Sequence, residues 1–314
     1  MNCDGKVGQI VTQFEQLEDC RLCPRQCKAN RSSGSRGFCG AGNRVEVFTC
    51  GPHHGEEPPV SGIRGSGTVF FSRCTLRCIY CQNYRFSQLG EGREYEIDEF
   101  VEILRSLREK GCHNWNFVSP TPWLPFISEA VGRLKSNGIS LPVVYNTSGF
   151  ETVGTINGLA GMVNVYLTDL RYASVETAKE ASHFGGYVHI ARDALCEMWR
   201  QAGALKLDDD GIAVSGTICR LLVLPGHAKE AINNLRWLAG NIGTELAVSV
   251  MAQYTPAHKA VGSEPWGRSI TRAEYDAVRD AVEDLGFDQG WVQEFGEVPD
   301  RDLVGFNMEC KQHP

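Results

Sequence analysis

From Thr68 onward the chain alternates between short β-rich apolar runs and helical periodicities, and this alternation is the tightest constraint on its fold. The runs are 68–72, 114–118, 142–145, 163–167, 218–224 and 246–251. Between them, Asp98 can cap a helix that carries Phe100, Val101, Ile103, Leu104 and Leu107 on one stripe and ends at Gly111. Further helical patterns cover about 123–137, 151–160, 188–203 and 228–240, and a last one near 272–285 starts at Thr271. Parallel strands need long crossovers, and helices supply them. The expected fold class is therefore α/β, and the choice is an open, partial (β/α)6 barrel. Periodicity alone equally allows a flat doubly wound sheet.

In parallel α/β folds the ligand lies at the carboxyl ends of the strands. Each expected strand here ends in polar residues. Ser119-Pro120-Thr121 follows the second, Asn146-Thr147-Ser148-Gly149 the third and Thr168-Asp169-Leu170-Arg171 the fourth. The fifth ends at Pro225-Gly226-His227, and the sixth at Gln253-Tyr254. After the first strand stand Cys74, Cys78 and Cys81, in the spacing C-x3-C-x2-C. Thiolates are the soft ligands of iron–sulfur clusters, and a cubane normally takes four. Three ligands leave one iron open to a substrate. A closed zinc site would want a fourth Cys or His nearby, and none follows Cys81 for about thirty residues.

The run Cys74-x3-Cys78-Ile79-Tyr80-Cys81-Gln82-Asn83 resembles the signature of the radical S-adenosylmethionine (SAM) enzymes, with wording similar to the pyruvate formate-lyase activating enzymes. The resemblance implies that Cys74, Cys78 and Cys81 hold a 4Fe–4S cluster, whose open iron chelates SAM. It also implies reductive cleavage of SAM to a 5′-deoxyadenosyl radical, with an electron from a flavodoxin- or ferredoxin-like donor. Tyr80 stands where the family places an aromatic residue whose backbone approaches the adenine. Asn146-Thr147-Ser148-Gly149-Phe150 is similar to the family's Asp-Thr-Asn-Gly-Phe, and Leu167-Thr168-Asp169-Leu170-Arg171 to its Leu-Asp-Leu-Lys. Arg171 then replaces a lysine that pairs with the SAM carboxylate, and a guanidinium can do so with two parallel bonds. Arg220 heads a segment similar to the family's Arg-x3-(Val/Ile)-Pro-Gly strand.

The family's Gly-Gly-Glu, which binds the SAM amino group, is absent, and Ser119-Pro120-Thr121 occupies its place. Backbone carbonyls, Ser119, Thr121 or Glu57 must then face the ammonium. The expected SAM contacts are Tyr80, Ser119, Thr121, Asn146, Ser148, Asp169, Arg171, Arg220 and Gln253. The departures favour direct modification of a small molecule or peptide, with activation of a glycyl-radical protein as the alternative. A non-catalytic iron–sulfur or zinc module is a third reading, but it leaves the polar residue at every strand end without a purpose.

Upstream, Cys20, Cys23, Cys27 and Cys39 are spaced C-x2-C-x3-C-x11-C in a segment with almost no apolar run. So small an appendage needs a staple, and four thiolates suit structural zinc or a second cubane, with the knuckle spacing favouring zinc. The sequence divides into a cysteine-rich extension and connector, 1–66, and a barrel with its C-terminal segment, 67–314. Residues 1–18 read as a short amphipathic helix, and His53, His54, Glu56 and Glu57 as solvated loop residues. Cys112, Cys196, Cys219 and Cys310 stand alone and read as buried thiols. The 13 cysteines, without a recognisable export signal at Met1–Lys6, point to metal ligation in the cytoplasm rather than to disulfides. No apolar stretch approaches a membrane span. The net charge of −7 argues against a general nucleic-acid surface.

Overall fold

The computed structural model describes residues 13–296. Its strands are β1 (Val45–His53), β2 (Ser66–Phe71), β3 (Arg93–Tyr95), β4 (Trp115–Val118), β5 (Val143–Thr147), β6 (Val165–Asp169), β7 (Lys206–Leu207), β8 (Ala213–Leu222), β9 (Ala247–Met251) and β10 (Gly290–Val292). The helices are α1 (Pro58–Ser61), α2 (Tyr84–Ser87), α3 (Ile97–Glu109), α4 (Leu124–Ser136), α5 (Val153–Asn157), α6 (Val175–Ser182), α7 (Tyr187–Ala202), α8 (Ala228–Asn241) and α9 (Arg272–Asp284). The sheet order is β10-β9-β8-β6-β5-β4-β2-β1-β3. The run from β2 to β10 is parallel, and β1 and β3 close the other side antiparallel. This is the expected α/β architecture with an open parallel sheet, a partial barrel.

Alternation along the strands sorts their side chains. Phe71, Trp115, Phe117 and Val143 pack against Phe100, Leu104 and Leu107 of α3 and Phe126, Ile127 and Val131 of α4. The intervening positions face inward, where Val144, Val165, Leu167, Ile218 and Ala247 surround Val60 of α1. Burying each such apolar side chain contributes roughly 1.5–3 kcal/mol. Helix α3 starts two residues earlier than Asp98 suggests, because Glu96 and Glu99 form a reciprocal capping box. Thr271 does cap α9, with Glu274 completing a second box.

The largest departure from expectation is the path before β2. Strand β1 pairs with β2, after which the chain turns into the barrel. There α1 forms a plug, anchored where the Asn114 side-chain amide donates to the Val60 carbonyl at 2.7 Å. The amphipathic helix expected over 1–18 falls largely outside the described residues, of which Phe14–Leu17 form a 3-10 turn. Cys310 also lies outside them. Cys112 and Cys219 are buried as expected, whereas Cys196 is exposed on α7.

Candidate active site

The loop that follows β2 carries the three cysteines in an unusual backbone. Arg73 and Arg77 adopt φ of 76° and 62°, left-handed positions that precede Cys74 and Cys78 and cost about 1–3 kcal/mol each for non-glycine residues. The amino-terminal segment supplies the compensation. Arg73 Nε donates to Glu46 Oε2 at 2.6 Å, and an Arg77 guanidinium nitrogen donates to the Phe38 carbonyl at 3.0 Å. Arg25 reaches the carbonyls of Thr75 and Leu76, both at 3.3 Å, and that of Ser182 at 3.2 Å. Its guanidinium lies 3.8 Å from the Phe38 ring centroid.

Cys74, Cys78 and Cys81 open onto one cavity of about 100 Å3, shared with Ser119, Asn146, Thr147, Ser148, Asp169, Arg171 and Arg220. A second cavity of about 170 Å3 adds Tyr80, Gln82, Gln253 and Tyr254 and shares Cys81, Asn83, Asp169, Arg171 and Arg220 with the first. The two are one cleft at the carboxyl ends of the strands. The turn after β5 depends on Gly149, whose φ is +75° and where a Cβ would stand 2.4 Å from the Asp169 carbonyl oxygen.

These thiols suit a cluster. Burial pushes the Cys81 thiol up to about 12 and raises that of Cys78, so the thiolates need a cation beside them to persist. Among the described residues, no three His, Cys, Asp or Glu are gathered closely enough for a single metal ion. A cubane takes each thiolate on a different iron, so thiols spaced around one cavity fit it without such convergence.

An ion network floors the cleft. Arg220 Nε donates to Asp169 Oδ1 at 2.8 Å, and its other nitrogens reach Glu56 Oε2 at 3.2 Å and Asn146 Oδ1 at 2.7 Å. Arg171 pairs with Asp169 Oδ2, and its Nε is buried without a partner among the described residues. Burial would raise the Asp169 carboxyl, but Arg220 and Arg171 outweigh it and hold Asp169 below the usual carboxylate range.

Glu56 and Glu57 correct the reading of a solvated loop. Both are buried inside the barrel, where Glu56 Oε1 accepts from Asn116 and Asn146 at 3.0 Å each. The sequence cue was present in Pro58-Pro59-Val60, a proline-started turn with an apolar residue to bury.

Thr121 stays out of the cleft, as does Glu57, another residue offered to the SAM ammonium. Thr121 sits in the 3-10 turn Thr121–Trp123 and donates to Glu151 Oε1 at 2.6 Å, as does Thr147. Glu151 went unrecognised in the sequence. Burial pushes its carboxyl up to about 7, against the pull of those hydroxyls. A raised native value means the native state binds the extra proton, so its stabilising contribution is full below about 4.5 and fades as pH rises through about 7. Urea unfolding should show wild type losing on the order of 3 kcal/mol more than Glu151→Gln between pH 5 and pH 8. Parallel pH profiles would refute this.

The amino-terminal cysteines form a second group. Cys20 and Cys23 are buried, Cys39 is half-buried and Cys27 is exposed. The Cys20 amide donates to the Ala29 carbonyl and the Lys28 amide to the Cys20 carbonyl, which closes the loop between them. A Cβ on Gly37 would stand 2.3 Å from Cys27 Sγ, so any larger residue there would have to turn the thiol aside.

Comparison with known proteins agrees with this geometry. The chain is 28% identical to the uncharacterized protein MJ0674 of Methanocaldococcus jannaschii over 285 residues, which cover 87% of this chain and 76% of that protein. A second protein of that organism, MJ0808, is 24% identical over 154 residues, 42% of this chain and 45% of its own. Among solved structures, Streptococcus suis SuiB bound to S-adenosylmethionine is similar at 12% identity and a TM-score of 0.46, covering 70% of this chain and 48% of SuiB. Methylornithine synthase (PylB) is similar at 16% identity and a TM-score of 0.45, covering 70% of this chain and 60% of PylB. The chain thus spans about half to three fifths of those two chains. The family model for the radical SAM superfamily matches residues 68–234, more than half of the sequence, from β2 through the cysteine loop into α8; the chain belongs to the radical SAM superfamily.

Proposed function

We propose that the protein cleaves SAM reductively in this cleft and abstracts a hydrogen atom from a small molecule or peptide. The observation that carries this reading is the meeting of three cysteine thiols with one guanidinium of free hydrogen-bonding capacity at the strand ends. Cys74, Cys78 and Cys81 would hold a 4Fe–4S cluster, which would supply the electron for reductive cleavage of SAM. The chain's own groups do the rest. Arg171 holds the SAM carboxylate, while Ser119 and the carbonyls around it face the ammonium. Asp169, held in turn by Arg220 and through it Asn146, fixes Arg171, Ser148 lines the cleft beside the cysteines, and Tyr80 and Gln253 border its second lobe. Direct modification is favoured over glycyl-radical activation because Ser119-Pro120-Thr121 replaces the Gly-Gly-Glu element. The proposed electron donor is a flavodoxin- or ferredoxin-like protein. Anaerobic reconstitution with dithionite and SAM should yield 5′-deoxyadenosine and methionine, and deuterium transfer from candidate substrates would identify the hydrogen taken. Intact SAM after iron loading would refute the reading.

We also propose that Cys20, Cys23, Cys27 and Cys39 hold a structural zinc or a second cubane; the four are not gathered on one point, so a zinc ion would have to draw them together, whereas a cubane would take each on a different iron. Arg31 favours this. It is buried, donates to the carbonyls of Gly42 and Pro122, and lies near enough to Cys39 to favour its thiolate. A buried guanidinium needs a counter-charge, and a thiolate site provides one. Cys23→Ser should lower bound metal and the melting temperature while the barrel cluster still reconstitutes. Loss of zinc marks a zinc staple, and loss of about four irons marks a second cubane. Unchanged metal content would exclude these thiols as ligands.

A further inference from the structure

Behind Cys78 lies a chain of hydroxyls that the reading above does not use. The Tyr172 hydroxyl donates to the Cys78 sulfur at 3.4 Å and stands 2.9 Å from the Tyr80 hydroxyl. All three residues are buried, with Tyr172 fully enclosed. A thiolate bound to iron has no hydrogen of its own, so the direction is fixed from end to end. Tyr172 must donate to sulfur, and Tyr80 must in turn donate to the Tyr172 oxygen.

The rings cannot turn away from this arrangement. Tyr80 stacks on Trp266 at 5.3 Å and 6°, and Trp266 is held by its indole bond to Glu180 at 2.6 Å. Tyr172 meets Tyr187 edge to face at 5.0 Å. The Tyr187 hydroxyl is itself fixed, donating to the Ser148 carbonyl at 2.8 Å and accepting from the Arg171 amide at 3.1 Å. Both hydroxyls are therefore held in place before any cluster is bound.

We infer that Tyr172 is a positioning residue that sets the reduction potential of the cluster through its hydrogen bond to Cys78, with Tyr80 holding Tyr172 in the donating orientation. A hydrogen bond to a thiolate ligand favours the more negative, reduced state and so raises the potential. The low dielectric of the enclosed site strengthens the effect. The inference rests on the cluster assignment to Cys74, Cys78 and Cys81.

The test is potentiometric titration of reconstituted protein without SAM, read from the paramagnetic signal of the reduced cluster. Iron and sulfide content are measured first. Tyr172→Phe removes one oxygen and keeps the ring packing. It should shift the midpoint to more negative potential, with a roughly tenfold fall in the reduced-to-oxidised ratio at fixed ambient potential, about 59 mV for one electron. Tyr80→Phe leaves Tyr172 and Cys78 intact and should shift the midpoint in the same direction by less. This second variant decides the matter if Tyr172→Phe fails to load a cluster. Midpoints equal to wild type, or shifted to more positive potential, would overturn the inference. A wild-type protein that binds no iron would instead remove the cluster assignment beneath it.

Discussion

Cys78→Ala is expected to abolish formation of 5′-deoxyadenosine from SAM. The three cysteine side chains open onto one cavity, and among the described residues no other Cys or His lines it. Removing one leaves two thiols, too few to retain a cubane with an open iron. Of the three, Cys78 is the best single choice. It is buried, its sulfur accepts from Tyr172, and its carbonyl accepts from the Gln88 side chain at 2.7 Å. Alanine removes the sulfur and leaves that backbone anchor in place, so loss of function reports on ligation rather than on loop collapse. Iron content and product formation should fall together, with circular dichroism unchanged. Wild-type product from this variant would refute the assignment.

The barrel and its mouth were legible because both depend on local patterns. Period-two apolar runs between helical stripes define β2, β4, β5, β6, β8 and β9, and most of the polar residues at their ends fall in the cleft; Thr121, Thr168 and His227 do not, and His227 stacks on Trp266 instead. What stayed hidden depends on contacts distant in sequence. The stretch 49–59 reads as a connector because its prolines, glycines and histidines are turn formers, yet its first residues, up to His53, pair with β2, which overrides that propensity. Glu56 and Glu57 look solvated until Arg220, 164 residues beyond Glu56, appears beside them inside the barrel. Glu151 was hidden in part for the same reason, since Thr121, 30 residues away, joins the nearby Thr147 beside it only when the ends of β4 and β5 meet. Likewise, the need for Arg25, Phe38 and Glu46 to hold the cysteine loop cannot be read from the spacing of the cysteines.

Arg171→Ala should weaken SAM binding by at least roughly tenfold without removing the cluster, and the ion network shows why Arg171 rather than Arg220 is the residue to change. Each nitrogen of the Arg220 guanidinium meets an oxygen, from Asp169, Glu56 and Asn146. Truncating Arg220 would leave the buried Glu56 carboxylate without its cation and take from Asp169 one of its two, and so disturb the barrel itself. Arg171 spends one nitrogen on Asp169, keeps a buried Nε unpartnered, and leaves part of its side chain exposed in the cleft. It is the cation with capacity to spare for an incoming carboxylate. A charge-assisted buried pair loses about 2–5 kcal/mol when one partner is truncated, and tenfold in Kd needs only about 1.4 kcal/mol. Arg171→Lys should fall between, keeping the charge but losing the planar fork. The alternative is that the pair with Asp169 is purely structural, a brace between strand end and loop. In that case Arg171→Ala would lower thermal stability and leave SAM affinity untouched. Titration of SAM into cluster-loaded variants, followed through the change in the reduced cluster's paramagnetic signal, separates the two. Equal affinity in wild type and Arg171→Ala would leave Arg171 as a brace and transfer the carboxylate to another group in the cleft.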